Sequence, residues 1–376
     1  MVERATRGLA DIVAANTAIS DIDGRAGVLS YRGYDIDQLA GRTSFEEVAH
    51  LLQRGSLPGR TGLAAYRAEL AQARTAFGPT IDAVLPAVAG RCEPMAALRT
   101  LVSALCADDP DAADNTPAAN RRKAARLVAQ LPVLLARYAA ARAGTGLPGP
   151  DPDHGVAGNF LLQLSGTRPD PQHVAMFDQC LVLNADHAMN ASTFAARVCA
   201  ATRSDLHSAV TAAIGTLKGP LHGGATENVL RTLERIGSVE EVPAAVRERL
   251  DRGERIAGFG HRAYPAEDPR TKHLRTMSQR LGEASGDPRY HELYTAVERA
   301  VRDAEGPRPN VYFYAASVYR GLGIPADLFT AVFAVSRMAG WTAHVMEQHA
   351  DNRLIRPEAA YIGPKRQVWM PIQERL

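Results

Sequence analysis

The chain of 376 residues has little cysteine, almost no charge imbalance and few strand signals. Its four cysteines, Cys92, Cys106, Cys180 and Cys199, form no Cys-x-x-Cys pair, which argues against zinc or thioredoxin-like chemistry. Buried free thiols in a reducing cytoplasm are the expectation. With 43 basic and 41 acidic residues the net charge is +2, which disfavours a general nucleic-acid or membrane-surface binder. The longest apolar region, residues 324–346, is broken by Asp327, Arg337 and His344, so it reads as a core helix rather than a membrane span. The N-terminal "MVERATRGLADIVAAN" lacks an apolar run before a cleavage site, so no signal peptide is expected. There is no His-Glu-x-x-His, no carboxylate-rich calcium loop and no Lys-Ser/Thr of a phosphate-binding loop, so no metal site is expected.

What is present is mostly helical pattern. In "TSFEEVAHLLQRG" Ser44 caps, Glu47 completes a capping box, and Gly55 ends the helix, with Val48, Leu51 and Leu52 on one face. Alanine-rich stretches predict helices over 61–77, 121–141, 173–201 and 208–217. A short hairpin is expected in "GVLSYRGYDI", residues 27–36, and no strand–helix alternation supports a parallel sheet. Residues 107–120 and 144–155 read as loops. The expected class is therefore mainly all-α.

Three histidines have chemical settings. His187 lies in "NADHAMNAST", His222 between Gly-Pro and Gly-Gly in "LKGPLHGGATENVL", and His261 after Gly-x-Gly in "ERIAGFGHRAYPAEDPR". Glycines beside a histidine allow a ligand to approach and leave backbone N–H groups free. A helix expected from Thr226 would turn its positive N-terminus toward His222 and keep that imidazole neutral. His50, His173, His207, His273, His291 and His344 read as packed or surface residues. Arg270 and Arg356 are set in polar segments, and Arg337 sits in an otherwise apolar helix, where it needs a carboxylate partner from the protein or a ligand. Bidentate arginine pairing is the usual way to hold a di- or tricarboxylic acid.

In this order, "ADHAMNASTFAARV", "LKGPLHGGATENV", "RIAGFGHRAYPAEDPR", "PNVYFYAASVYRGLGIPADLF" and "DNRLIRPEAAYIGP" resemble the citrate synthase family, and the likeness covers essentially the whole chain. "IDGRAGVLSYRGYDIDQL" and "VWMPIQER" resemble its short bacterial and archaeal form, 2-methylcitrate synthases included. The resemblance implies a two-domain helical fold. Residues 1–216 and 328–376 would form a large dimerisation domain, and 217–327 a small domain closing over the substrates. It implies a cytoplasmic homodimer that condenses an acyl-CoA with oxaloacetate or a related keto acid and hydrolyses the thioester. No tightly bound cofactor, no nucleic acid and no membrane would be involved.

The same resemblance gives His222 the thioester carbonyl and His261 the oxaloacetate carbonyl. His187, Arg270, Arg337 and Arg356 would bind oxaloacetate and citrate, with Arg356 reaching the partner subunit's site. Arg255, Ile256, Ala257, Gly258, Gly260 and Asn310 would contact CoA. One departure stands out. The family motif Pro-Asn-Val-Asp-Phe-Tyr-Ser is here Pro309-Asn310-Val311-Tyr312-Phe313-Tyr314-Ala315, so Tyr312 stands where the family's general base is an aspartate. A carboxylate of pKa about 4 is ionised at neutral pH, whereas a phenol of about 10 is not. Three readings stay open: a relocated base such as Glu227 or Glu267, a decarboxylative condensation needing no base, or a non-catalytic binder.

Overall fold

The computed structural model describes residues 7–9, 12–223, 225–286 and 288–375. It is almost wholly helical, with one small sheet near the N-terminus. The sheet is an antiparallel meander of β1 (Ser20–Asp23), β2 (Val28–Tyr31) and β3 (Tyr34–Asp35). The expected hairpin is its second half, and Arg32 and Gly33, both at positive φ, make the tight turn that matches strand twist. The first strand went unpredicted because "SDID" carries two acids in four residues, a poor strand signal.

The helices follow in sequence: α1 (Ile36–Leu39), α2 (Phe45–Arg54), α3 (Arg60–Thr75), α4 (Pro79–Ala89), α5 (Pro94–Ala104), α6 (Pro117–Ala143), α7 (Val156–Ser165) and α8 (Pro171–Asn184). Then come α9 (Ala191–Ala201), α10 (Leu206–Leu217), α11 (Ala225–Ile236), α12 (Val242–Asp251), α13 (Thr271–Ser285), α14 (Arg289–Asp303), α15 (Val311–Gly321) and α16 (Phe329–Ala350). The capping box of α2 forms as expected, and Gly55 ends that helix at φ +91°. Helix α6 begins earlier than alanine content alone suggested. Thr116 caps it and Pro117 occupies its first turn, where a missing N–H costs nothing.

One expected helix is really two. The predicted 173–201 helix breaks between α8 and α9, because Asn190 caps α9 by accepting from the N–H groups of Ser192 (3.0 Å) and Thr193 (3.1 Å). Alanine richness hid that cap. The break is where His187 sits.

Helix α16 is buried on nearly all sides, packing against α2, α6, α8, α9 and α10, as a helix apolar all round should. Helices α11 to α15 pack mainly on one another, with α15 central to α11, α13 and α14. The thiols depart from the expectation of burial: Cys180 is buried, Cys92 and Cys199 are half-buried, and Cys106 is exposed. Among the described residues, no helix is long and apolar enough to cross a membrane.

The α8–α9 turn is held from two sides. From the sheet, the Tyr31 hydroxyl lies 3.1 Å from Leu183 O and 3.0 Å from Asp186 O, and Ser20 Oγ donates to Asp186 Oδ2. From α16, the Gly340 N–H donates to Ala185 O at 3.0 Å. A β-carbon at Gly340 would lie 2.2 Å from Asp186 Oδ1 and 2.5 Å from Ala185 O, so only glycine permits this approach. Gly340→Ala should therefore destabilise the fold by about 1–3 kcal/mol or more through overpacking, although alanine is the better helix former. Thermal and urea unfolding of the variant check this; an unchanged midpoint would show that the turn is free to give.

Candidate active site

The turn presents His187, buried, with Nε2 3.2 Å from the Tyr264 hydroxyl. His261 completes a three-ring cluster, its centroid 5.2 Å from His187 and 4.7 Å from Tyr264. The His261 Nδ1 accepts from the backbone N–H groups of Ala263 (2.9 Å) and Tyr264 (3.3 Å). Its single neutral-state proton is thereby placed on Nε2. His222 Nε2 lies 3.0 Å from Ser192 Oγ, which also accepts from Trp341 Nε1 at 3.2 Å. The Ser192 hydroxyl hydrogen has two acceptors in reach, Asn190 Oδ1 and His222 Nε2. Turning it to the histidine puts that ring's proton on Nδ1, where it can be donated.

All three imidazoles are held neutral. Burial, then the Arg337 charge, pushes His222 down to about 4. Burial, then Arg270, pushes His261 down to about 4. Burial with Arg270 and Arg337 holds His187 well below the ordinary range. The expected cause at His222, a helix N-terminus, is replaced in the folded chain by burial and Arg337.

The arginines differ in their state. Arg270 is fully buried and clamped by Asp268, with Nε to Oδ1 at 2.9 Å and a terminal nitrogen to Oδ2 at 2.7 Å. Asp268 Oδ2 also accepts from Val311 N at 3.2 Å, which ties this loop to the first turn of α15. Arg337 is equally buried but donates only Nε, to Asn184 O at 2.8 Å, and lies over the Phe333 ring. Among the described residues no carboxylate is within ion-pair distance of it, so its terminal nitrogens are open to an anionic ligand. Arg356 is exposed in the extended segment after α16, outside this cluster and without a partner among the described residues.

Tyr312 is in the first turn of α15, capped by Asn310, whose Oδ1 accepts from its N–H at 3.0 Å. The ring packs on Phe333 with centroids 5.3 Å apart. Its hydroxyl has no hydrogen-bond partner among the described residues and sits in the field of Arg337 and Arg270. Burial nevertheless outweighs both and raises the phenol above its ordinary range, so it is a neutral donor and no base. Glu227 and Glu267 are spoken for: Glu227 pairs with Arg231, and Glu267 with Arg275 at 2.5 Å.

The 255–260 loop is stitched to the strand before α15. Asn310 N donates to Gly258 O at 2.8 Å, Asn310 Nδ2 to Gly260 O at 2.8 Å, and Gly260 N to Arg308 O at 2.8 Å. Gly258 sits at φ +84°, and a β-carbon there would strike Val229 and Phe313. Arg255 is exposed, Ile256 buried and Ala257 intermediate. Among the described residues no group of three His, Cys, Asp or Glu is placed to hold a metal ion. Sequence reasoning missed Tyr264, Asp268, Ser192 and Trp341. Asp268 alone had a signal: an acid two residues before Arg270.

A nearly all-helical chain here gathers neutral histidines and buried guanidinium groups, a set chemically suited to small carboxylates. The chain belongs to the citrate synthase family: the family model "Citrate synthase, C-terminal domain" matches residues 8–358. Citrate synthase 2 of Bacillus subtilis is 47% identical over 371 residues, covering 99% of each chain. A 2-methylcitrate synthase of Mycobacterium tuberculosis is 41% identical over 362 residues, covering 96% of this chain and 91% of its own. The solved ternary complex of citrate synthase from Thermoplasma acidophilum with carboxymethyl coenzyme A and oxaloacetate superposes with a TM-score of 0.92 at 29% identity, covering 99% of this chain and 100% of its own.

The depressed histidines give a pH signature. Their folded-state pKa values lie below the unfolded value of about 6.5, so the unfolded chain binds more protons between about 4 and 6.5. Stability should rise with pH across that window and level off above it. Nitrogen-15 NMR of labelled histidine should show His222 and His261 neutral at pH 6, His261 as the Nε2–H form; a midpoint near 6.5 for either ring would contradict the geometry.

Proposed function

We propose that this chain condenses an acyl-CoA with oxaloacetate or a related keto acid and then hydrolyses the thioester, converting the acyl group to an alkyl group on transfer. The observation that carries the reading is the pairing of neutral imidazoles with Arg337, a buried guanidinium open to a ligand carboxylate. His187, Arg270 and Arg337 bind the keto acid, and Arg356 completes the same site in a second copy. His261 donates from Nε2 to the keto oxygen as it becomes an alkoxide. His222 faces the thioester carbonyl and stabilises the enolate, the role of a positioned donor where charge develops. The 255–260 loop and Asn310 border the CoA, and residues 217–327 close over both substrates.

The reaction needs no tightly bound metal or redox cofactor, and the enzyme works in the cytoplasm as a homodimer. The last segment supports a second copy: it runs extended after α16 and exposes Ile362 (92%), Trp369 (76%) and Val368 (84%), a density of apolar surface that marks an interface.

Calorimetry with oxaloacetate and thiol release from a panel of acyl-CoAs test the reading. Oxaloacetate should bind the parent protein, and Arg337→Gln should weaken binding by about 2–5 kcal/mol. His261→Ala should leave binding measurable and lower oxaloacetate-dependent thiol release about a hundredfold or more. Undiminished binding in Arg337→Gln would remove the foundation of this assignment.

A further inference from the structure

Position 312 is where the site departs from its family resemblance, and its surroundings state what the departure does. Every carboxylate near the cluster is already engaged. Asp268 is clamped to Arg270 and to Val311 N, and Asp186 to Ser20 and His344. The two outlying acids are held by Arg231 and Arg275. Asp186 Oδ1 accepts from no donor, but it is buried against Gly340 of α16, so no carboxylate oxygen stands open, among the described residues, to take a proton from an acyl α-carbon. In its place stands a neutral phenol with an unclaimed hydroxyl, packed on the Phe333 ring that Arg337 also overlies, and in the field of Arg337 and Arg270.

Such a surface suits a substrate that brings its own negative charge. An aspartate at 312 would repel a carboxylate placed beside the thioester. Tyr312 removes that repulsion and offers a hydrogen bond, while its ring and Phe333 keep water away. Arg270 is taken by Asp268 and Arg337 by the keto acid, so the second carboxylate meets a weak neutral donor and apolar faces rather than an ion pair, which favours its loss as carbon dioxide. Building on the proposed condensation with oxaloacetate, we propose that the acyl donor is a CoA thioester carrying a β-carboxylate, of the malonyl-CoA class, and that loss of carbon dioxide replaces proton abstraction.

The step balances without a further reactant. The bond between the β-carboxylate and the α-carbon breaks, carbon dioxide leaves, and the electron pair passes into the thioester as its enolate. The enolate carbon forms the new bond to the keto carbon of oxaloacetate. The keto oxygen takes the proton from His261 Nε2. Water then cleaves the thioester, CoA leaves as the thiol, and the proton released as the new carboxyl ionises restores His261.

The experiment compares malonyl-CoA with acetyl-CoA on the full-length protein in the presence of oxaloacetate. Thiol and carbon dioxide are followed together, with oxaloacetate affinity measured separately by calorimetry. The expected result is thiol release from malonyl-CoA with equimolar carbon dioxide, at a kcat/KM at least about a hundredfold above that for acetyl-CoA, the scale of a general base. Tyr312→Phe should bind oxaloacetate as the parent does and lower the malonyl-CoA rate about tenfold, the worth of one neutral hydrogen bond. Tyr312→Asp should lose malonyl-CoA activity and gain acetyl-CoA activity. Acetyl-CoA turnover equal to or faster than malonyl-CoA turnover in the parent overturns this inference and leaves the condensation reading standing. Oxaloacetate binding without thiol release from either thioester overturns both.

Discussion

The contact between α16 and the end of α8 governs the site. The last carbonyls of a helix have no partner within it, and α16 supplies partners for those of α8 in register. Ser336 Oγ donates to Leu181 O at 2.5 Å, Arg337 Nε to Asn184 O at 2.8 Å, and Gly340 N to Ala185 O at 3.0 Å. One turn further, His344 Nε2 lies 3.2 Å from Asp186 Oδ2. Satisfying α8 in this way fixes three functional positions together: His187 in the turn, Arg337 on α16, and Trp341 against the serine that touches His222. The sheet contributes from the opposite side through two of its buried residues, Tyr31 and Ser20.

Electrostatically the site is cationic and starved of free acid. Two guanidinium groups lie among imidazoles that are all held neutral, and the carboxylates nearby serve as struts. Arg270 is anchored and Arg337 is open, so the pair divides the tasks of rigidity and ligand capture. Burying Arg337 without an ionic partner carries a desolvation cost, which shows as a lowered guanidinium pKa with burial as its main cause. A carboxylate placed against its terminal nitrogens would offset that cost.

Much of this was legible in the sequence, and the unread part has a physical explanation. The helical class followed from alanine content and caps, and α2 was readable residue by residue. The glycine-framed histidines and the arginine in an apolar helix were singled out from their local settings, and the folded chain brings His187, His222, His261, Arg270 and Arg337 into one region. What could not be read were relations between distant segments. The split of the 173–201 helix depends on a cap that alanine propensity masks. The partner of Arg270 lies two residues away, but only burial makes it obligatory. Tyr264 and Ser192 acquire importance solely from the histidines that the fold brings beside them. The field at Tyr312 comes from Arg270 and Arg337, which are 42 and 25 residues away in the chain.

His261 has its inner nitrogen occupied by two backbone N–H groups of the turn that follows it. The ring therefore cannot exchange one tautomer for the other without opening that turn. It is a one-ended terminal: a proton enters and leaves through the same atom. The histidine cannot relay protons inward through the protein. Whatever it gives to a bound molecule it must recover from the same side, from that molecule or from water that has replaced it. Release and recovery of the proton thus share one atom and one face of the ring, and two backbone N–H groups make the site's proton traffic directional.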